Sequence, residues 1–168
     1  EDLMAANLIQ SLLKKEKNNL NISVLPIVGE GSRFEALPIE ILGPRKTLPS
    51  GGFARNSFKN LWSDIKGGLF TNTFKHIKAL RKQKNKADVS IVVGDVYILL
   101  LTGLFMGGKI IFLPTAKSEY IDGHYKIEKY LMKKYAELVL PRDEKTKADL
   151  EAYGIKTEFN GNLMMDCF

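Results

Sequence analysis

The chain has 168 residues, 45% hydrophobic and 26% charged. A globular chain of this size buries about 70% of the surface its unfolded form exposes, so neither disulfides nor metals are needed to hold it. The single cysteine, Cys167, excludes an intramolecular disulfide framework and a multi-cysteine zinc site, and two distant histidines, His76 and His124, argue against a histidine-rich metal centre. The net charge of +6 is unevenly spread: Phe53 to Lys86 holds nine cations and one acid, Asp64, so that stretch carries +8 and the rest of the chain sums to −2.

In chain order, Asp2 to Lys15 places Leu3, Met4, Leu8, Ile9, Leu12 and Leu13 near helical spacing and ends on Lys14-Lys15, which suits a helix C-terminus. Asn21 to Val28 and Leu37 to Leu42 read as strands, the first demoted in part by Pro26. In Ser57 to Lys84, Phe58, Leu61, Trp62, Ile65 and Leu69 share one helical face. Phe70, Phe74, Ile77 and Leu80 share another about 100° further round, so a kink or a junction of two helices is expected at Gly67-Gly68. Val89 to Val93 is a short β-rich run ending in Gly94-Asp95. The apolar stretch after it spans 13 uncharged residues between Asp95 and Lys109 and reads as a core helix, since a membrane span needs about 20. Lys109 to Leu113 is a strand, His124 to Tyr135 a helix, Glu137 to Leu140 a strand, Asp143 to Tyr153 a helix and Lys156 to Phe159 a final strand. Strands alternating with helices imply a Rossmann-like α/β domain, a parallel sheet with helices on both faces, in which VSIVV and KIIFL suit central positions buried on both sides. A domain of this type opens on a strand, whereas this chain opens on a helix, so the expectation is a single domain over 1–168 that lacks its first strand and looks cut at both ends. The start at Glu1-Asp2 shows no basic region followed by an apolar one, and cytoplasmic residence is the default expectation.

Ligands of open α/β sheets bind beyond the C-terminal ends of the strands. Those ends offer Gly43 to Phe53, Gly94-Asp95, Pro114 to Tyr120, Pro141-Arg142-Asp143 and Gly161-Asn162. Asp95 beside an apolar helix is either a proton acceptor for a substrate hydroxyl or an N-cap. Lys117, Ser118 and Glu119 suit a sugar or an anion; otherwise they form a polar loop in which Ser118 or Asp122 caps the next helix. Ser50-Gly51-Gly52 is either a backbone nest for an anion or a flexible turn. His124 is expected to cap or pack at a helix start, and Asp143 to N-cap the next helix. Lys75, Lys78, Lys82 and Lys86 fall on one ridge, which suits an anionic membrane surface or simply a solvated face. Nucleic acid ranks lowest, because no helix-turn-helix, RRM or zinc-finger pattern accompanies the patch.

Seven strings occur in consistent order across almost the whole chain: Glu1-Asp2-Leu3, Gly43-Pro44-Arg45, Leu48-Pro49-Ser50-Gly51-Gly52-Phe53, Val93-Gly94-Asp95, Thr115-Ala116-Lys117-Ser118-Glu119-Tyr120, Pro141-Arg142-Asp143 and Gly161-Asn162-Leu163-Met164-Met165-Asp166. Together they resemble the bacterial proteins related to lipid-A-disaccharide synthase, glycosyltransferases of the GT-B type. The resemblance implies the N-terminal, acceptor-side half of a GT-B fold, with the donor-binding domain outside this chain. It implies transfer of an N-acetylglucosamine-type sugar from a UDP-sugar to a lipid-linked acceptor, Asp95 as general base, and Lys117, Ser118 and Glu119 orienting the acceptor. The Pro49-to-Phe53 loop, with Ser50, Gly51, Gly52 and Phe53, would cover it, with Gly94, Thr115, Arg142 and Asn162 on the same binding edge. It also implies no metal and no cofactor beyond the donor substrate, and inactivity of this chain alone. Expected partners are the nucleotide-sugar donor through the second domain, a lipid-linked sugar and an anionic membrane surface on the cytoplasmic side. A homodimer through an open sheet edge is also expected. The competing readings are a nucleotide-sugar epimerase, disfavoured by only two histidines, and a non-catalytic α/β binding or interaction domain.

Overall fold

A computed structural model describes residues 2–15, 20–29, 31–44, 47–48, 69–115, 117, 120, 123–159 and 161. The chain divides into two compact units, Asp2–Leu80 and a second beginning at Arg81. Both are built of α-helices and short parallel strands, so the chain is α/β.

The first unit opens on α1 (Asp2–Lys15), with an acid in its first turn and two lysines in its last, matching the helix dipole. Its inner face is Met4, Ala6 and Ile9. Ala6 and Ile9 bury with Phe34, which a 3₁₀ turn (Gly31–Phe34) supplies, and Leu13, Ile22, Val24, Leu37 and Ile39 pack around them. The strands here are shorter than the hydrophobic runs suggest. β1 (Ser23–Val24) pairs in parallel with β2 (Glu40–Ile41), and a lone parallel bridge joins Val28 to Leu48. Pro26 and Pro38 interrupt the two runs, and a residue without an N–H cannot donate to a ladder.

The helix α2 (Leu69–Lys82) turns a different face inward from the one its phenylalanines suggest. Asn72, His76 and Leu80 are buried, whereas Phe70 and Phe74 are 61% and 71% exposed. The cause is polar anchoring. One His76 ring nitrogen, Nε2, lies 3.1 Å from the Pro26 carbonyl oxygen and the other, Nδ1, lies 2.8 Å from the Asn72 carbonyl oxygen. Ala79 packs close to Gly43, whose φ of +83° and proximity to Leu25 both favour glycine there. The helix ends at Lys82, so Lys86 sits in the following turn and not on the helix as the ridge reading expects. The segment expected to precede this helix, with the kink at Gly67-Gly68, lies outside the described residues.

The second unit runs β3 (Val89–Gly94), α3 (Val96–Phe105), β4 (Lys109–Pro114), α4 (Lys126–Tyr135), β5 (Leu138–Val139) and α5 (Glu144–Ala152). The sheet order is β3-β4-β5, all parallel, with Val89 opposite Lys109 and Gly94 opposite Pro114. β4 is central and buries Ile110, Phe112 and Leu113, as expected of KIIFL. VSIVV departs from expectation: among the described residues β3 is an outer strand, and Val89 and Ile91 stay 48% and 42% exposed. The expected strand at 156–159 is reduced to one parallel bridge, Val139 to Thr157. Val92, Val96, Leu99, Ile110, Phe112, Met132, Val139, Leu150 and Ile155 form the core. The apolar α3 therefore contributes core residues, and among the described residues no helix is long and apolar enough to cross a membrane.

Candidate functional site

The C-terminal ends of β3 and β4 lie side by side because the two strands are parallel and in register. Gly94 closes β3 with φ +132°, a conformation open to glycine, and its carbonyl accepts the Thr115 N–H at 3.2 Å. Asp95 follows as the N-cap residue of α3, with extended dihedrals. Its backbone carbonyl receives Ile98 N–H at 2.9 Å, but its side chain makes no cap hydrogen bond. Among the described residues this exposed carboxylate has no hydrogen-bond or ion-pair partner. Of its two sequence readings, side-chain capping is thereby removed.

Gly94, Asp95, Val96, Pro114, Lys117 and His124 line a shallow, solvent-open concavity. Residues 116, 118, 119, 121 and 122, in the same loop, lie outside the described residues.

The far wall is organised by Glu128, in the first turn of α4. One of its oxygens accepts from Lys117 Nζ at 2.8 Å. The other accepts the Tyr125 N–H at 2.8 Å and lies 3.6 Å from Nδ1 of the buried His124. Lys117 Nζ also sits 3.8 Å from the Tyr125 ring centroid, a cation–π distance. Glu128 thus tethers the lysine, orders the helix start and faces the histidine. The helix begins at Lys126 rather than at His124 because the Glu128 carboxylate satisfies the Tyr125 N–H. A second tie crosses the same edge: Arg142, just beyond β5, donates from Nη1 to the Thr115 carbonyl oxygen at 2.7 Å.

Of the residues singled out in sequence, Gly94, Asp95 and Lys117 come together on the concavity, and Thr115 and Arg142 are joined to each other beside it. Ser50, Gly51, Gly52, Phe53, Ser118, Glu119 and Asn162 lie outside the described residues. Asp143 N-caps α5 as expected, accepting the Thr146 N–H at 2.7 Å. Sequence reasoning missed Glu128, which ties the wall together. The signal was present as its position four residues after His124 and at the third helical position, where a carboxylate can reach back to the N-cap N–H. Among the described residues no group of three or more His, Cys, Asp or Glu side chains is placed to hold a metal.

No family model, no curated protein and no solved structure matches this chain.

Proposed function

We propose that this chain is the acceptor-binding side of a GT-B glycosyltransferase that moves an N-acetylglucosamine-type sugar from a UDP-sugar to a lipid-linked acceptor. The observation that carries this reading is Asp95: a carboxylate at a strand end, released from helix capping, opening on a concavity walled by Lys117 and His124. In this role Asp95 accepts the proton of the acceptor hydroxyl as it attacks the anomeric carbon, and the UDP leaving group departs with the bonding electron pair. The tethered Lys117 presents a hydrogen-bonding group that orients the sugar ring, backed by the buried His124. The order of short motifs resembling lipid-A-disaccharide synthase relatives supports the same class. The donor binds on the second domain that a GT-B pair requires.

A second reading has its own observation. Lys117 is engaged by Glu128 and by the Tyr125 ring, so the nearest cation to the concavity is already neutralised. A non-catalytic α/β binding domain accounts for that arrangement as well. The deciding experiment follows UDP release by the full-length protein with UDP-N-acetylglucosamine-type donors and a membrane lipid extract. Lipid-dependent release that falls at least about 100-fold in Asp95→Asn is the expected outcome, in the range general-base catalysis supplies. Release unaffected by the variant removes Asp95 from the chemistry, and no release with any donor and lipid favours the binding domain.

A further inference from the structure

The sequence leaves a sugar and an anion both open as ligands of Lys117, and Glu128 decides between them. Its Oε1 accepts from Lys117 Nζ at 2.8 Å, and the exposed Tyr125 ring lies against that ammonium, 3.8 Å from nitrogen to ring centroid. The pair is partly buried, with the lysine side chain 22% and the glutamate side chain 15% exposed, so solvent screens it less than an open surface pair. An ammonium held in this way can offset an incoming anion only by giving up its carboxylate.

The charges at the concavity are therefore unequal. Asp95 is exposed on its wall without a cap bond, and the carboxylates of Asp95 and Glu128 stand against the single ammonium of Lys117. Arg142 does not line the concavity and donates sideways to the Thr115 carbonyl oxygen. From Pro114 to His124 the sequence adds Glu119 and Asp122 and no second lysine or arginine. A phosphate or carboxylate placed here meets a like charge at Asp95 and, among the described residues lining the concavity, a cation already committed. A hydroxyl meets instead a carboxylate able to accept its hydrogen bond. We propose that Glu128 sets the charge of the ligand: by pairing with Lys117 it makes the concavity select an uncharged, hydroxyl-bearing group and turn away phosphates and carboxylates. Assigning that group to a sugar acceptor rests on the reading of Asp95 given above, whereas the exclusion of anions does not.

The test needs no turnover. Amide NMR shifts of the whole chain are followed in titrations with inorganic phosphate and with N-acetylglucosamine, at constant ionic strength and at a pH where an ordinary imidazole is neutral. Wild type is expected to show saturable shifts around Gly94, Val96 and Lys117 with the sugar, with an affinity at least about tenfold above that for phosphate. Glu128→Gln keeps an oxygen for the Tyr125 N–H and removes the charge, so phosphate binding should strengthen at least about tenfold. Adding Lys117→Met should abolish that gain. Asp95→Asn leaves Lys117 tethered and should gain less than Glu128→Gln. Wild type that binds phosphate as tightly as the sugar overturns the proposal, and so does a Glu128→Gln protein of unchanged melting midpoint without the gain. An equal gain in Asp95→Asn overturns it too, since net charge and not the tether would then decide. Wild type that responds to neither probe overturns the assigned ligand class. Should Glu128→Gln fold poorly, the wild-type comparison of the two probes still decides. UDP release enters none of these outcomes, so failure of the glycosyltransferase reading is seen separately.

Discussion

Asp95 and Asp143 occupy equivalent places in the chain, each after a parallel strand and directly before a helix, yet their carboxylates do different things. Asp143 accepts the Thr146 N–H at 2.7 Å, whereas Asp95 makes no cap bond and faces the concavity. A side-chain N-cap is worth about 1 kcal/mol, within a range of about 0.5–2. Asp143→Ala should therefore lower stability by about that amount in urea unfolding, while Asp95→Ala should leave the midpoint unchanged. Equal destabilisation by the two substitutions would make Asp95 a structural residue and remove the physical basis for its catalytic role. The residue types before both helices were legible in sequence, and the capping role of Asp143 was read from them. The choice for Asp95 was not, because an N-cap aspartate and an uncommitted one share the same backbone conformation and differ only in where the side chain turns. Glu128 was legible only in part: its place in the first turn signals a reach back to the N-cap N–H, whereas its grip on Lys117 appears only once the two side chains are brought together in the fold.

At the scale of elements, hydrophobic pattern located the helices well and their faces less well. α2 exists where periodicity puts it, but it is rotated about 100°, one residue's turn, because a hydrogen-bonded histidine outcompetes two phenylalanines for the inside. Propensity counts apolar area and cannot see that Pro26 offers a carbonyl to His76. Likewise the strand runs at 21–28 and 37–42 shrink to two-residue pairs, since pairing needs an N–H at each rung and the prolines withhold it. Helices α3 and α4 approach closely where Gly103 lies against the Tyr135 side chain. Replacing an internal helical glycine by alanine normally stabilises by about 1 kcal/mol. Here the added methyl would meet the Tyr135 ring and also its Cβ at 2.9 Å, an atom that the α4 backbone holds in place. Overpacking of this kind costs about 1–3 kcal/mol. Gly103→Ala is therefore expected to destabilise, with a lower thermal midpoint, and the loss should be non-additive with Tyr135→Ala because the two positions are in contact. A raised midpoint would show that α3 and α4 can separate freely.

At the scale of the molecule, the parallel α/β plan and the concentration of positive charge were both readable from the sequence, because period and charge are properties of stretches. The division into two units was not, because both contain the same alternation of helix and strand. Among the described residues the two units differ in the size of their core clusters. The second unit buries nine residues in one cluster around β4, whereas the described cluster on α1 buries three, Ala6, Ile9 and Phe34. Comparable backbone hydrogen bonds in the two units should then differ in how often they open. Leu42 N–H to Val24 O and Leu48 N–H to Ile27 O are both 2.7 Å in the first unit. In the second, Leu140 N–H to Phe112 O is 2.8 Å and Val139 N–H to Lys156 O is 3.0 Å. Bond geometry slightly favours the first pair, and the burial of the paired residues is mixed in both, with Ile27 and Leu48 buried in the first and Phe112 and Val139 in the second. Local opening follows the stability of the cooperative unit that holds a bond and not the length of the bond. Native-state amide exchange should therefore run at least about tenfold faster at Leu42 and Leu48 than at Val139 and Leu140, after correction for intrinsic rates. Equal protection would mean that the chain opens as one unit. The expected ordering would instead place the concavity around Asp95 on the more stable unit, which suits the proposed role of Asp95 as a proton acceptor held in a fixed position.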